Sequence, residues 1–169
     1  MAIELLLILE KGIWFGFAAL GFAVLFNVPQ RALLIIWLIG AAGGLVKLIL
    51  MQWNIGIVMA SFVGSTLVGI LSVYAAHNKH APPLVFSIPA VIPMVPGAFA
   101  YRMMLGLIKL AATTITSNSY SQTLAETTSN GLKALFILLV LAVGVAIPML
   151  ISRKETIKKI RRKEDLPND

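Results

Sequence analysis

Three prolines occur within eight residues, at Pro89, Pro93 and Pro96, and Gly97 follows the last of them. Proline lacks a backbone N–H and clashes with the carbonyl four residues earlier, so this segment cannot form one regular α-helix. A helix that begins again near Pro96 would leave the backbone N–H groups of residues 97–99 uncovered. Together with the positive end of the helix dipole, such groups bind anions, including carboxylates. The spacing therefore predicts a broken helix that receives a carboxylate.

Polar side chains flank this segment. Ser87 provides a hydroxyl before it, and Tyr101 and Arg102 provide a hydroxyl and a guanidinium after it. Lys109 lies seven residues beyond Arg102, on the same helical face. A cation inside a membrane helix typically marks a functional site, although Arg102 can also reach the interface and a proline-rich kink can be purely architectural. The predicted substrate-binding residues are Ser87, Pro89, Pro93, Pro96, Gly97, Ala98, Tyr101 and Arg102.

The other reactive residue types do not form a catalytic set. The chain has no cysteine, which excludes disulfides and thiolate metal sites. His77 and His80 are three residues apart with no acid nearby, which favours a polar loop over a metal site. Glu10 is an acid within an apolar segment, and pairing with Lys11 or a position at the interface explains it better than proton coupling does. We therefore expect no enzyme activity, metal or cofactor.

Composition indicates a membrane protein. Of 169 residues, 59% are hydrophobic and 12% are charged, whereas soluble domains are about 45–50% apolar and about 25% charged. Half of the Lys and Arg residues fall in the C-terminal segment 153–163, so the net charge of +7 indicates a topology and lipid-headgroup signal rather than nucleic-acid binding.

Five apolar segments are long enough to cross a bilayer. The predicted fold is all-α, with one membrane domain over residues 1–152, a fourth helix broken by prolines and a basic tail over 153–169. The spans are predicted at 5–26, 32–52, 55–76, 84–112 and 132–151. Within the second span, Lys47 is expected to snorkel towards the near interface.

The connections between the segments are short, except for a loop rich in Ser and Thr over residues 113–130. Asn27, Pro29 and Arg31 form a tight turn, which could also act as a gate. Small residues recur every four residues, a spacing that lets helices approach closely in lipid, either within the chain or against a partner. These small residues form two pairs, Gly12 with Gly16 and Gly40 with Gly44, and one set of three, Ser61 with Ser65 and Gly69.

Charge placement predicts the orientation. If the basic tail is cytoplasmic, five spans place the N-terminus outside. The connections carrying Arg31 and Lys79 then lie inside, and the loop over 113–130, which has no Lys or Arg, lies outside. This agrees with the positive-inside bias.

Two sequence runs resemble the threonine/serine exporter family. They cover residues 21–33, GFAVLFNVPQRAL, and 88–97, IPAVIPMVPG. The likeness is strongest to the short subunit of the split form, which corresponds to the C-terminal membrane half of the fused exporters. The resemblance implies a bacterial inner-membrane exporter that works with a larger partner subunit, as part of an oligomer. It also implies small amino acids or small dicarboxylates as substrates.

The sequence therefore predicts a membrane subunit of a secondary exporter for small carboxylate-bearing metabolites. No nucleotide-binding motif is present, which favours an ion gradient as the energy source. The alternatives are a non-transporting subunit that braces the partner's pore and a homo-oligomeric, channel-like protein. An intramembrane enzyme is disfavoured by the missing catalytic set.

Overall fold

The computed structural model describes residues 2–112 and 117–164, with side chains for 6–112 and 120–152, and the described chain is helical with short connections. Within these described residues, six α-helices and one short 3-10 turn follow one another. Their bounds are α1 (Ala2–Leu25), α2 (Gln30–Gln52), α3 (Ile57–Lys79), α4 (Pro83–Val91), the 3-10 turn (Ile92–Met94), α5 (Gly97–Ala111) and α6 (Ser117–Glu164).

The long helices are apolar enough to cross a membrane. Four stretches qualify on their own, within α1, α2, α3 and α6, and α4 with α5 forms a fifth candidate that is bent by 54°. Large apolar side chains remain exposed along all of these helices, as lipid-facing or partner-facing surfaces require. The prediction of an all-α membrane protein with a broken fourth helix is confirmed.

The helices form one bundle in which α4 is the inner element. Helix α2 packs against α1 on one side and α3 on the other, α6 packs along α3, and α4 contacts α1, α2 and α3. Phe86 of α4 and Met94 of the 3-10 turn are fully buried, as are Ile36 of α2, Val68 of α3 and Ile137 of α6. The bundle therefore encloses the segment that the sequence marks as unusual.

The small residues lie where helices meet. A Cβ on Gly40 would stand 2.5 Å from the Ala19 Cβ, and one on Gly44 would overlap the Phe15 ring. Ser65 Oγ lies 3.3 Å from the Val140 carbonyl oxygen, to which it donates a hydrogen bond. The small-residue stripes thus hold α1 to α2 and α3 to α6 within one chain.

The expectation of a loop over residues 113–130 is wrong for most of its length. Residues 113–116 lie outside the described part, but α6 is helical from Ser117 onwards. Gly106 of α5 packs directly against Thr127 of α6, so the two helices form an antiparallel hairpin. This tertiary pairing overrides the low helix propensity of the Ser and Thr residues.

The hairpin extends beyond the rest of the bundle. Val58, near the start of α3, lies beside Leu132 and Phe136 of α6, so residues 117–131 run past the end of α3. At 1.5 Å per residue this extension is about 22 Å long. Helix α6 also continues to Glu164 at its other end, although the side chains of the basic tail lie outside the described residues.

Three helix ends use left-handed backbone conformations. Asn27, Asn54 and His80 have φ values of 54°, 58° and 51°, and asparagine tolerates this region better than most residues. Pro29 caps the start of α2, immediately before its first residue. The tight turn predicted at Asn27, Pro29 and Arg31 is therefore present.

Candidate functional site

The helix break is confined to five residues. Helix α4 runs through Pro89 to Val91 without interruption, because α4 begins at Pro83 and is short enough to accommodate one internal proline. The 3-10 turn follows, and the Val95 N–H donates to the Ile92 carbonyl at 3.0 Å. Val95 and Pro96 lie outside any helix. We call residues 92–96 the break.

The start of α5 presents fewer free amides than the sequence suggests. The Gly97 N–H donates to the Val95 carbonyl at 2.9 Å, and the Phe99 N–H donates to the Pro96 carbonyl at 3.1 Å. The expectation of three uncovered N–H groups is therefore wrong, since the Val95 and Pro96 carbonyls each accept from one of them. Within the described residues, the Ala98 N–H is left without a backbone acceptor.

The end of the break is open. Gly97 and Ala98 are exposed, and a Cβ added to Gly97 would meet no atom within 4 Å. An uncovered backbone amide cannot face hydrocarbon without a large energetic cost. This end of α5 must therefore border water, a ligand or another subunit.

Lys47 of α2 reaches the inner side of the break. Its side chain is only 8% exposed, and its Nζ donates to the Met94 carbonyl oxygen at 3.0 Å. The expected snorkelling to the interface is wrong, because the break offers an acceptor inside the bundle. In an unbroken helix that carbonyl would accept from the Ala98 N–H, so Lys47 takes the place of the lost donor.

Ser87 and Pro89 lie on the buried face of α4, away from the open end. Ser87 is fully buried, and its Oγ has no hydrogen-bond partner among the described residues. Buried hydroxyls are nearly always hydrogen-bonded, so an unpaired one is unusual. The structure separates Ser87 from Ala98 by about one helical turn of α4 and the whole break.

Arg102 lies in a different environment. It lines a polar cleft of about 180 Å³ between α5 and α6, together with Gly106, Lys109 and Glu126. The predicted shared face of Arg102 and Lys109 is thus observed. Tyr101 is exposed on α5.

The structure therefore does not bring the predicted residues together. Ser87 and Pro89 lie on the buried face of α4, Pro93 and the buried Pro96 lie within the break, and Gly97 and Ala98 lie at the open start of α5. Arg102 lies in the hairpin cleft. Asn27, Pro29 and Arg31 lie at the far end of α2, with Arg31 sixteen residues from Lys47, or about 24 Å along the helix. The predicted site residues did not include Lys47, and the one available signal was a single cation within the otherwise uncharged apolar segment 32–52.

The two histidines lie beside a larger, mainly apolar cavity of about 660 Å³, which Ala81, Pro83 and Met149 also line. His77 Nδ1 is 3.0 Å from the Val73 carbonyl oxygen, one turn back on α3. Among the described residues, no group of three metal-ligating side chains occurs.

Comparison with known proteins identifies one family. The model of the family described as "Threonine/Serine exporter, ThrE" matches residues 11–151. A protein of Haemophilus influenzae, described as uncharacterized, is 30% identical over 151 residues, which are 89% of this chain and 50% of that protein. The chain thus spans about half the length of this curated relative. No solved structure matches the chain.

Proposed function

Because this chain belongs to the threonine/serine exporter family, we propose that it is the membrane subunit of a secondary exporter for small carboxylate-bearing metabolites. The substrates are threonine- or serine-type amino acids or small dicarboxylates. A larger subunit of the same family completes the transport path in the bacterial inner membrane. The C-terminus lies in the cytoplasm and the N-terminus outside.

The break carries this proposal. Discontinuous helices in secondary transporters place backbone groups and half-helix ends at the substrate. Here the open end of α5 offers the Ala98 N–H and the positive end of the helix dipole to an anion. Carboxylates are the group that threonine, serine and dicarboxylates share.

The exposed surfaces of α5 support the proposal of a partner. Its start is uncovered, and Tyr101, Met104 and Ile108 are more than half exposed. A second subunit that covers this helix would enclose the break in a wet path between the two proteins. The Haemophilus relative, twice as long as the matched region, is consistent with a family in which this half works beside further helices.

Export measurements test the proposal. We expect cells that express this chain together with the larger subunit to release threonine, serine or a small dicarboxylate faster than cells that express either subunit alone. An Ala98→Cys variant of this cysteine-free chain should react with a small water-soluble thiol reagent, and substrate should protect it. A cysteine that never reacts, with export intact in the same variant, would instead identify the chain as a brace for its partner.

A further inference from the structure

Lys47 has more hydrogen-bonding capacity than the structure uses. A lysine ammonium carries three N–H donors, and one acceptor, the Met94 carbonyl oxygen, is recorded for it. Among the described side chains the carboxylates are Glu10 and Glu126, which are both exposed, and neither forms an ion pair with Lys47. A buried cation inside a membrane bundle is costly without an anion beside it.

Lys47 lies where α2 and α3 approach each other closely. A Cβ on Gly64 of α3 would lie 3.3 Å from the Lys47 Cβ, so the two helices are in close contact at this level. Ser61, one turn before Gly64, is fully buried and its Oγ has no partner among the described residues. The Lys47 ammonium thus keeps spare donors next to the break, at a level where Gly64 lets α3 approach α2 closely.

The break separates a donor and an acceptor that a continuous helix would join. The Met94 carbonyl is satisfied by Lys47, whereas the Ala98 N–H four residues later stays open. A carboxylate adds the attraction between opposite charges to its hydrogen bond with an ammonium, which a neutral carbonyl does not provide. A carboxylate that enters at Ala98 therefore competes favourably with Met94 for the ammonium.

We propose that Lys47 is the cation that binds the substrate carboxylate, which displaces the Met94 carbonyl oxygen from Nζ and accepts a second hydrogen bond from the Ala98 N–H. This rests on the proposed export function and adds to it the residue that recognises the carboxylate. Arg102, in the hairpin cleft, is then outside this first contact.

Protection of the Ala98→Cys variant measures binding without relying on transport. In complex with the larger subunit, threonine should slow labelling, and threonine amide, which lacks the carboxylate, should not. Adding Lys47→Met keeps the length of the side chain and removes its charge. Loss of a hydrogen bond to a charged group then raises the threonine concentration for half-protection by at least about tenfold. Lys11→Met, the same change at an exposed position of α1, should leave it unchanged.

The outcomes separate the two proposals. No protection by threonine or by a four-carbon dicarboxylate with Lys47 present would overturn the export site itself. Protection with the same midpoint in the Lys47→Met variant would overturn the role of Lys47 and leave the export function standing. Lys47→Arg, which retains a cation, should bind more tightly than Lys47→Met.

A chemical rescue covers the case in which Lys47→Met does not fold. Lys47→Cys in the cysteine-free chain, beside a larger subunit without cysteines, can be modified with an aminoethyl thiosulfonate, which restores a cation, or with a methyl thiosulfonate, which does not. We expect the aminoethyl reagent to restore export and the methyl reagent to leave it low. A cysteine that cannot be labelled, or equal recovery with both reagents, would overturn the proposal.

Discussion

The side chain of Met94 occupies the space that a side chain on Gly64 would fill: a Cβ on Gly64 would stand 2.6 Å from the Met94 Cε. Gly43 of α2 lies on the other side of the same methionine, where a Cβ would be 3.7 Å from its Sδ. Gly43 and Gly64, from different helices, thus form the packing site for the Met94 side chain, which we call the Met94 site. The position of the break depends on the Met94 site, because the Met94 carbonyl oxygen also accepts the hydrogen bond from Lys47.

A larger side chain in the Met94 site should displace the break. Gly64→Leu inserts a large side chain into a packed interior, and we expect it to lower the free energy of unfolding by about 1–3 kcal/mol and to reduce export. Thermal unfolding in detergent and export in cells measure the two effects. Gly21→Leu is the matched control, since a Cβ on Gly21 meets nothing within 4 Å. Equal stability of both variants would contradict the packing described for Met94.

The contact between α1 and α2 should be equally sensitive. In Gly40→Leu the added side chain meets Ala19 on α1, which forces the two helices apart. We expect a loss of about 1–3 kcal/mol in stability and poorer recovery of the assembled complex in mild detergent. Normal recovery and unchanged stability would mean that α1 and α2 can separate freely.

The open start of α5 allows a direct test of substrate approach. Gly97→Val places a β-branched side chain beside the Ala98 N–H, so export should fall while insertion and assembly persist. Gly56→Val is a suitable control, because Gly56 caps the start of α3 and is equally open. Export and membrane abundance are measured for both variants. If both export normally, the start of α5 does not contact substrate.

Arg102 is expected to act at longer range, from the hairpin cleft. Arg102→Lys keeps the charge and loses the planar guanidinium, so export should fall partially, and Arg102→Ala should lower it further. Because Arg102 is exposed, both variants should insert and fold normally. The concentration dependence of export provides the measurement. Unchanged export in Arg102→Ala would limit the cleft to a structural role.

The orientation can be tested with reporters at two positions. One fused after Asp169 should be cytoplasmic, and one inserted after Ala112, where α5 ends, should be external. The physical reason is the cluster of Lys and Arg residues beyond Ser152, which favours the cytoplasmic side. Two reporters on the same side would contradict the crossing of the membrane by α6.

Local chemistry explains what the sequence could predict. The prolines and Gly97 determine a break through covalent geometry that no tertiary contact can reverse. Gly40 and Gly44 indicate close helix contact because small residues at four-residue spacing let helix backbones approach each other in lipid. These features were therefore visible without the fold.

Two other features depend on which elements meet. Whether Lys47 snorkels or turns inwards is decided by the Met94 carbonyl, which comes from a segment 47 residues away. The helical state of Ser117–Asn130 is decided by packing against α5, as at Thr127 and Gly106, and Ser and Thr have weak helix propensity of their own. Contacts of this kind are not encoded in spacing or composition.

Helix α6 links the two ends of the molecule mechanically. Its 48 residues amount to about 72 Å of continuous helix, from the α5 hairpin, along α3, to the basic tail. Pro148, which removes one backbone hydrogen bond, is the weak point in this rod and lies against Gly69 of α3. A partner that tilts the hairpin would therefore rotate the tail about Pro148. Movement of the hairpin on one side of the membrane would then displace the tail on the other side.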